Sequence, residues 1–119
     1  MAQLHLENLN VYQRSIALAL NIYMLSQLWP KEHLFGITDQ LRRASLSISL
    51  NIAEGYGRTR KDFQRFLVIA RGSCYECLPI IKIASSLKLL STAQEQTYYN
   101  ELIEISRMLS ALKNRLGKS

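Results

Sequence analysis

Cys74 and Cys77, in the run Cys74-Tyr75-Glu76-Cys77, are the residues whose type and spacing most suggest chemistry. A redox pair of this spacing works at a helix N-terminus that follows a strand, where the helix dipole lowers the first thiol's pKa. Here the pair falls in the middle of a helical pattern, on an apolar stripe, with no strand before it. Cysteine at such a position packs as a small hydrophobe, so both side chains are expected in the core. Zinc would need two further ligands, and the only histidines, His5 and His33, lie outside metal-site spacing. Ser45, Ser47 and Ser49 have no histidine spaced to act as their base and no G-x-S-x-G elbow, and read as small residues that let helices approach. Glu54 and Glu76 could act as an acid/base pair only in a shared cleft, and nothing in the sequence brings them together. Gly55-Tyr56-Gly57 lacks the strand and third glycine of a dinucleotide fingerprint and the Lys-Ser/Thr of a phosphate loop. The chain therefore reads as a non-enzyme, with no metal, no cofactor and no small-molecule substrate expected.

The basic residues are the remaining signal. Arg58, Arg60, Lys61, Arg65 and Arg71 fall within fourteen residues that contain one acid, Asp62, and Arg42-Arg43 lies one helix earlier. Arg107, Lys113, Arg115 and Lys118 cluster toward the C-terminus. In an up-down bundle the exit of the second helix and the end of the fourth meet at one pole. Each cation there adds sequence-independent affinity for phosphate through counterion release. Arg58, Arg60, Lys61, Arg65, Lys113 and Arg115 are the candidate nucleic-acid contacts, for RNA or DNA. The alternative is a solvated face with cations on a C-terminal dipole, since no aromatic platform interleaves the charges.

Four periodic segments position these residues. The first runs from about Leu9 to Leu28 and stops at Trp29-Pro30, where proline disfavours helix at the residue before it. The second starts after Gly36 with Thr38 as N-cap and extends to Gly55 or Gly57. Thr59-Arg60-Lys61-Asp62 opens a third that continues to about Leu90, with Pro79 expected to bend it or open a turn. Ser91-Thr92-Ala93-Gln94 opens a fourth that stops at Gly117. No segment alternates with period two, so the fold class is all-α.

The segments differ in how many apolar faces they carry. The third gathers Phe63, Phe66, Leu67, Ala70, Cys74, Cys77, Leu78 and Ile81 on one stripe, and the fourth Tyr98, Leu102, Ile105, Leu109, Leu112 and Leu116. The first has two faces, Leu9, Tyr12, Ile16, Leu20 and Tyr23 on one and Val11, Leu18, Ile22 and Leu25 on the other. The second likewise sets Leu46, Leu50 and Ala53 opposite Ile37, Leu41, Ala44, Ile48 and Ile52. A second exposed stripe marks an interface, so Val11, Leu18, Ile22, Leu25, Leu46, Leu50 and Ala53 are expected to meet a second copy of the chain. Deeper burial within a monomer is the alternative.

Composition agrees with this frame. A chain of 119 residues, 48% apolar and 20% charged, suits a single domain over its whole length. Fifteen Lys plus Arg against nine Asp plus Glu give a net charge of +6, which suits a polyanionic partner. No apolar run reaches the ~20 residues of a bilayer span, and the start Met1-Ala2-Gln3-Leu4-His5 has no basic and apolar signal regions. No membrane association and a cytoplasmic location are expected.

Gln40-Leu41-Arg42-Arg43-Ala44-Ser45-Leu46-Ser47-Ile48, followed by Asn51-Ile52-Ala53-Glu54-Gly55-Tyr56-Gly57-Arg58, resembles the signature of a bacterial family. Its members are encoded in intervening sequences of 23S ribosomal RNA genes. The likeness continues through Asp62-Phe63, Arg65-Phe66-Leu67, Ile69-Ala70 and Gly72-Ser73, with Glu76 at the usual acidic position. It departs at Leu50 and at Cys77-Leu78-Pro79. The resemblance implies an antiparallel four-helix bundle that assembles as a ring, commonly a homopentamer, with no established enzymatic activity. Related proteins are accessory variability determinants of diversity-generating retroelements, in which a basic barrel associates with a reverse transcriptase and its nucleic acid. An adaptor that docks such an enzyme without touching nucleic acid is thus a second expectation. Asn51, Glu54 and Gly55 carry over as the family motif. Asn51 and Glu54 are expected to make polar contacts within or between subunits, and Gly55 to end its helix.

Overall fold

The computed structural model describes the backbone of residues 2–118 and side chains from His5 onward. After a short helix α1 (Ala2–Glu7) come four long ones: α2 (Asn10–Ser26), α3 (Asp39–Tyr56), α4 (Arg60–Ser86) and α5 (Thr92–Leu116). The described residues are all-helical, without strands, in a rod of 48 × 22 × 20 Å.

Side-chain bonds show that each long helix runs against the next. Arg42 Nε donates to Ser26 Oγ at 2.8 Å between α3 and α2, and Ser73 donates to Ser47 at 2.9 Å between α4 and α3. Between α4 and α5, Gln64 reaches the Lys113 carbonyl, Arg71 the Ser110 hydroxyl, and Ser85 the Glu95 carboxylate, so numbers rise along one helix as they fall along the other. Arg14 grips Glu101 to tie α2 to α5. Leu41, Ile48, Ile52, Leu67, Ile81, Leu102 and Ile105 are fully enclosed between them.

Helix ends follow local chemistry at three places that the sequence marks. Thr59 caps α4 by accepting from the Asp62 N–H, Ser91 and Gln94 cap α5 reciprocally, and Gly117 follows its last residue. Two other ends differ from expectation, and at a third, one of the two expected stops holds. Thr38 is not an N-cap: it sits in helical geometry (φ −61°, ψ −52°) at the end of a wide turn, Leu34–Thr38, interrupted at Gly36. Gly55 does not end α3, which continues to Tyr56 with Gly57 as its C-cap. Helix α4 passes through Pro79 but stops at Ser86, not near Leu90. There the Leu89 N–H reaches the Ala84 carbonyl, the Lys88 N–H reaches that of Ser85, and Lys88 takes a left-handed φ of 67°.

The two-faced reading of the first segment holds at its start, where Leu9 and Tyr12 pack half-buried against the core as expected, and is inverted beyond it. Val11, Leu18 and Ile22, expected outside, are buried in the core of the chain, and Leu25 is half-buried against it. Ile16, Leu20 and Tyr23 are the exposed side. The inward stripe of α2 also contains Ser15 and Ser26. Each of these hydroxyls donates to a carbonyl of its own helix, Tyr12 and Tyr23, and so is buried without an unmet hydrogen bond. On α3, Leu46 and Leu50 are exposed as expected, while Ala53 is half-buried.

Candidate nucleic-acid interface

Two contacts gather the basic residues at one end of the rod. Arg60 Nη1 donates to the Lys118 carbonyl at 3.2 Å, and Gln64 Nε2 to that of Lys113 at 3.1 Å. The turn between α3 and α4 therefore lies against the last turn of α5. Arg58, Arg60, Lys61 and Arg65 share this pole with Lys113, Arg115 and Lys118. Arg42 and Arg43 do not; they sit at the opposite end of α3.

Gly55 makes the turn possible. A Cβ placed there would lie 2.7 Å from Phe66 Cβ, 3.0 Å from Phe63 Cδ1 and 3.3 Å from Phe63 Cα. The missing side chain lets the end of α3 press directly on the first two turns of α4. Phe63 is buried there, with the Tyr56 ring edge-on at 5.8 Å. Phe66 stays half-buried, and two guanidinium groups cover it: Arg65 at 4.6 Å from the ring centroid and Arg58 at 5.1 Å. The sequence pattern places Phe63 and Phe66 on a core stripe and not as a platform among these charges; that Arg58 covers Phe66 follows only once the chain has turned. Phe66 does not serve as a stacking platform for bases, since the cations occupy it.

The pole's charge is partly balanced. Glu54 forms an ion pair with Arg58, and Arg58 also donates to the Glu54 carbonyl. The hydrogen bond to Glu54 pushes the Arg58 pKa up, keeping it charged at any accessible pH. Asp62 approaches Arg65 at 3.8 Å. Among the described residues no acid pairs with Arg60, Lys61, Lys113, Arg115 or Lys118. Among the described residues, seven cations thus face two carboxylates. The positive N-terminal dipole of α4 adds to them, and the C-terminal dipole of α5 offsets part of the charge on Lys113 and Arg115.

Of the family-motif residues, Asn51 makes contacts within its own helix, donating to the Ser47 carbonyl at 2.8 Å and hydroxyl at 3.0 Å, and Ser73 extends the hydrogen-bond chain to α4. Glu54 holds Arg58. Gly55 is a close-approach residue, not a terminator.

The other candidates for chemistry lie elsewhere. Cys74 and Cys77 are enclosed in the core as the apolar stripe implied, and burial pushes both thiols up to about 12, leaving them protonated at neutral pH. Glu76 is exposed on α4 about four turns from the pole, apart from Glu54. Among the described residues no three His, Cys, Asp or Glu side chains are grouped to hold a metal ion, and no helix is long and apolar enough to cross a membrane. Sequence reasoning also missed that α4 has an apolar outer side, where Val68, Ile69, Tyr75 and Ile83 are exposed.

The fold has a solved counterpart. A crystal structure of a protein of unknown function from the S23 ribosomal protein family of Bacteroides thetaiotaomicron superposes with a TM-score of 0.79, covering 87% of this chain and 95% of that one. At 24% identity the likeness is one of fold alone. No match is found among curated proteins. The family described as 23S rRNA-intervening sequence protein matches residues 7–111, nearly the entire chain and every residue of the α3–α4 signature. The chain belongs to that family.

Proposed function

We propose that this chain is a non-catalytic nucleic-acid-binding protein, a four-helix bundle that assembles with copies of itself into a ring and contacts phosphates through its basic pole. The observation that carries the reading is the convergence of seven cations and two carboxylates at one end of the rod. Arg58, Arg60, Lys61, Arg65, Lys113 and Arg115 are the phosphate contacts. The exposed apolar residues Ile16, Leu20, Tyr23, Leu46 and Leu50 support assembly, because a lone soluble chain gains nothing from leaving them in water. Ring closure would place identical poles side by side. Five copies, the number the family resemblance implies, would raise the +6 of one chain to about +30. Binding of this kind reads the backbone more than the bases and weakens steeply with salt.

The test is binding of a duplex and of a single-stranded RNA at several salt concentrations, for the wild type and for R58E/R60E/K61E. The expected result is a steep salt dependence in the wild type and a loss of at least about tenfold in the variant, with sedimentation unchanged. Salt-independent binding, or a variant that binds as the parent does, overturns the assignment and leaves the pole as a surface for a protein partner such as a reverse transcriptase.

A further inference from the structure

Gly72 lies within α4 on its solvent side, and a Cβ added there meets nothing within 4 Å. Glycine inside a helix costs about 0.5–1 kcal/mol relative to alanine. At Gly55 the close approach of α4 offsets that cost, but nothing inside the subunit offsets it at Gly72. On the same side of α4 lie Val68, Ile69 and Tyr75 within about a turn of it and Ile83 about three turns on, each between 41% and 50% exposed. One turn on stands Glu76, exposed and without a cation partner among the described residues.

A second surface has the complementary character. Between α2 and α3 runs an open groove of about 580 Å³, lined by Ile16, Ala19, Leu20, Tyr23 and Leu46 and edged by Asp39, Arg42 and Arg43. Asp39 is taken by Arg43 at 2.9 Å. Arg42 has no acid among the described residues; its guanidinium stacks 4.3 Å from the Tyr23 ring centroid and donates to Ser26, which fixes it at the groove's edge.

We infer that the outer face of α4 in one copy seats in the α2–α3 groove of the next, with Gly72 allowing close helix approach and Glu76 meeting Arg42. The inference rests on the assembly reading above and specifies its contact. Among the described residues Glu76 on one apolar helix face lacks a cation and Arg42 at the edge of one apolar groove lacks an anion, so each supplies what the other needs. Because the two surfaces are different parts of the chain, the contact is head-to-tail. Such a contact repeats from copy to copy and ends only by closing a ring.

Sedimentation of exposed-site variants tests it. Leu20→Arg blocks the groove and Gly72→Trp blocks the α4 face, and circular dichroism checks that both still fold. Each variant alone is expected to be monomeric at micromolar concentration. Mixed together they should form a one-to-one dimer and nothing larger, since the mixture has a single intact contact. Glu76→Arg and Arg42→Glu should each weaken assembly at least about tenfold, and the double variant should regain it. A G72W chain that keeps the parent's size, or a charge swap that restores nothing, overturns the pairing while the assembly reading stands. A monomeric parent overturns both.

Discussion

Gly55 and Phe66 stand so close that one added carbon on the glycine would lie 2.7 Å from the Phe66 Cβ. Neither neighbour of that carbon is the loose end of a side chain, since Phe63 Cα is also within 3.3 Å. In an ordinary helix Gly→Ala stabilises by about 0.5–1 kcal/mol. Here overpacking, which costs about 1–3 kcal/mol, exceeds that gain. Gly55→Ala should therefore lower stability by about 1 kcal/mol or more, read from the denaturant midpoint. It should also loosen the stack of Arg58 on Phe66 and weaken polyanion binding. Equal or higher stability would mean that α3 and α4 can move apart freely.

Lys88 provides the opposite case. It holds φ 67° at the end of α4, in the motif that most often takes glycine. For a residue with a Cβ that conformation costs about 1 kcal/mol. Lys88→Gly should raise stability by about that amount without altering the pole, since the substitution lies at the other end of α4. A thermal melt showing no gain would contradict the geometry of this turn.

Thr38 is buried, and its hydroxyl finds no hydrogen-bond partner. A buried unsatisfied hydroxyl costs about 1–3 kcal/mol, and valine keeps the shape while removing it. Thr38→Val should stabilise by about 1 kcal/mol, whereas Thr38→Ser, which keeps the hydroxyl and loses the methyl, should destabilise. Equal effects from the two substitutions would show that the hydroxyl is satisfied in solution.

The thiols of Cys74 and Cys77 lie near 12 in the fold and about 9 in the unfolded chain, because burial disfavours the thiolate. Below pH 9 both states hold the protons and stability does not depend on them. As pH rises from 9 toward 12, only the unfolded chain releases protons, so stability falls. Cys74→Ala/Cys77→Val should start from lower stability and lose less of it between pH 8 and 10.5. Parallel slopes for parent and variant would place the thiols in contact with water. At pH 7 the native thiols should react with a thiol reagent only as fast as the chain opens.

Much of this was legible in order of locality. Thr59, Ser91 and Gly117 act within their own turn, so residue type alone located three helix ends. The shared pole followed from simple alternation of helix direction, which brings residues 58–65 beside 113–118. Legibility failed where a decision belonged to a neighbouring helix. Both faces of α2 mix apolar and polar residues, Ser15 and Ser26 with Val11, Leu18 and Ile22 on one and Gln13 and the C-cap Gln27 with Ile16, Leu20 and Tyr23 on the other, so the pattern alone does not say which turns inward. Only the partner helices decide that the serines, small and bonded to their own carbonyls, go inside. Gly55 has the composition of a helix stop, yet the space it leaves belongs to Phe66. The stacking of Arg58 on Phe66 likewise spans a turn that no periodic pattern encodes.

Trp29 is the chain's single tryptophan, 92% enclosed where α2 gives way to the wide turn before α3, and its indole N–H has no partner. That makes the corner self-reporting. Its emission should be blue-shifted in the native state and move red when water reaches the indole, with no label needed. Since the pole lies at the far end of the rod, the signal should stay silent when a polyanion binds there and respond when the α2–α3 corner opens. A single cuvette experiment can thus separate events at the two ends of the molecule.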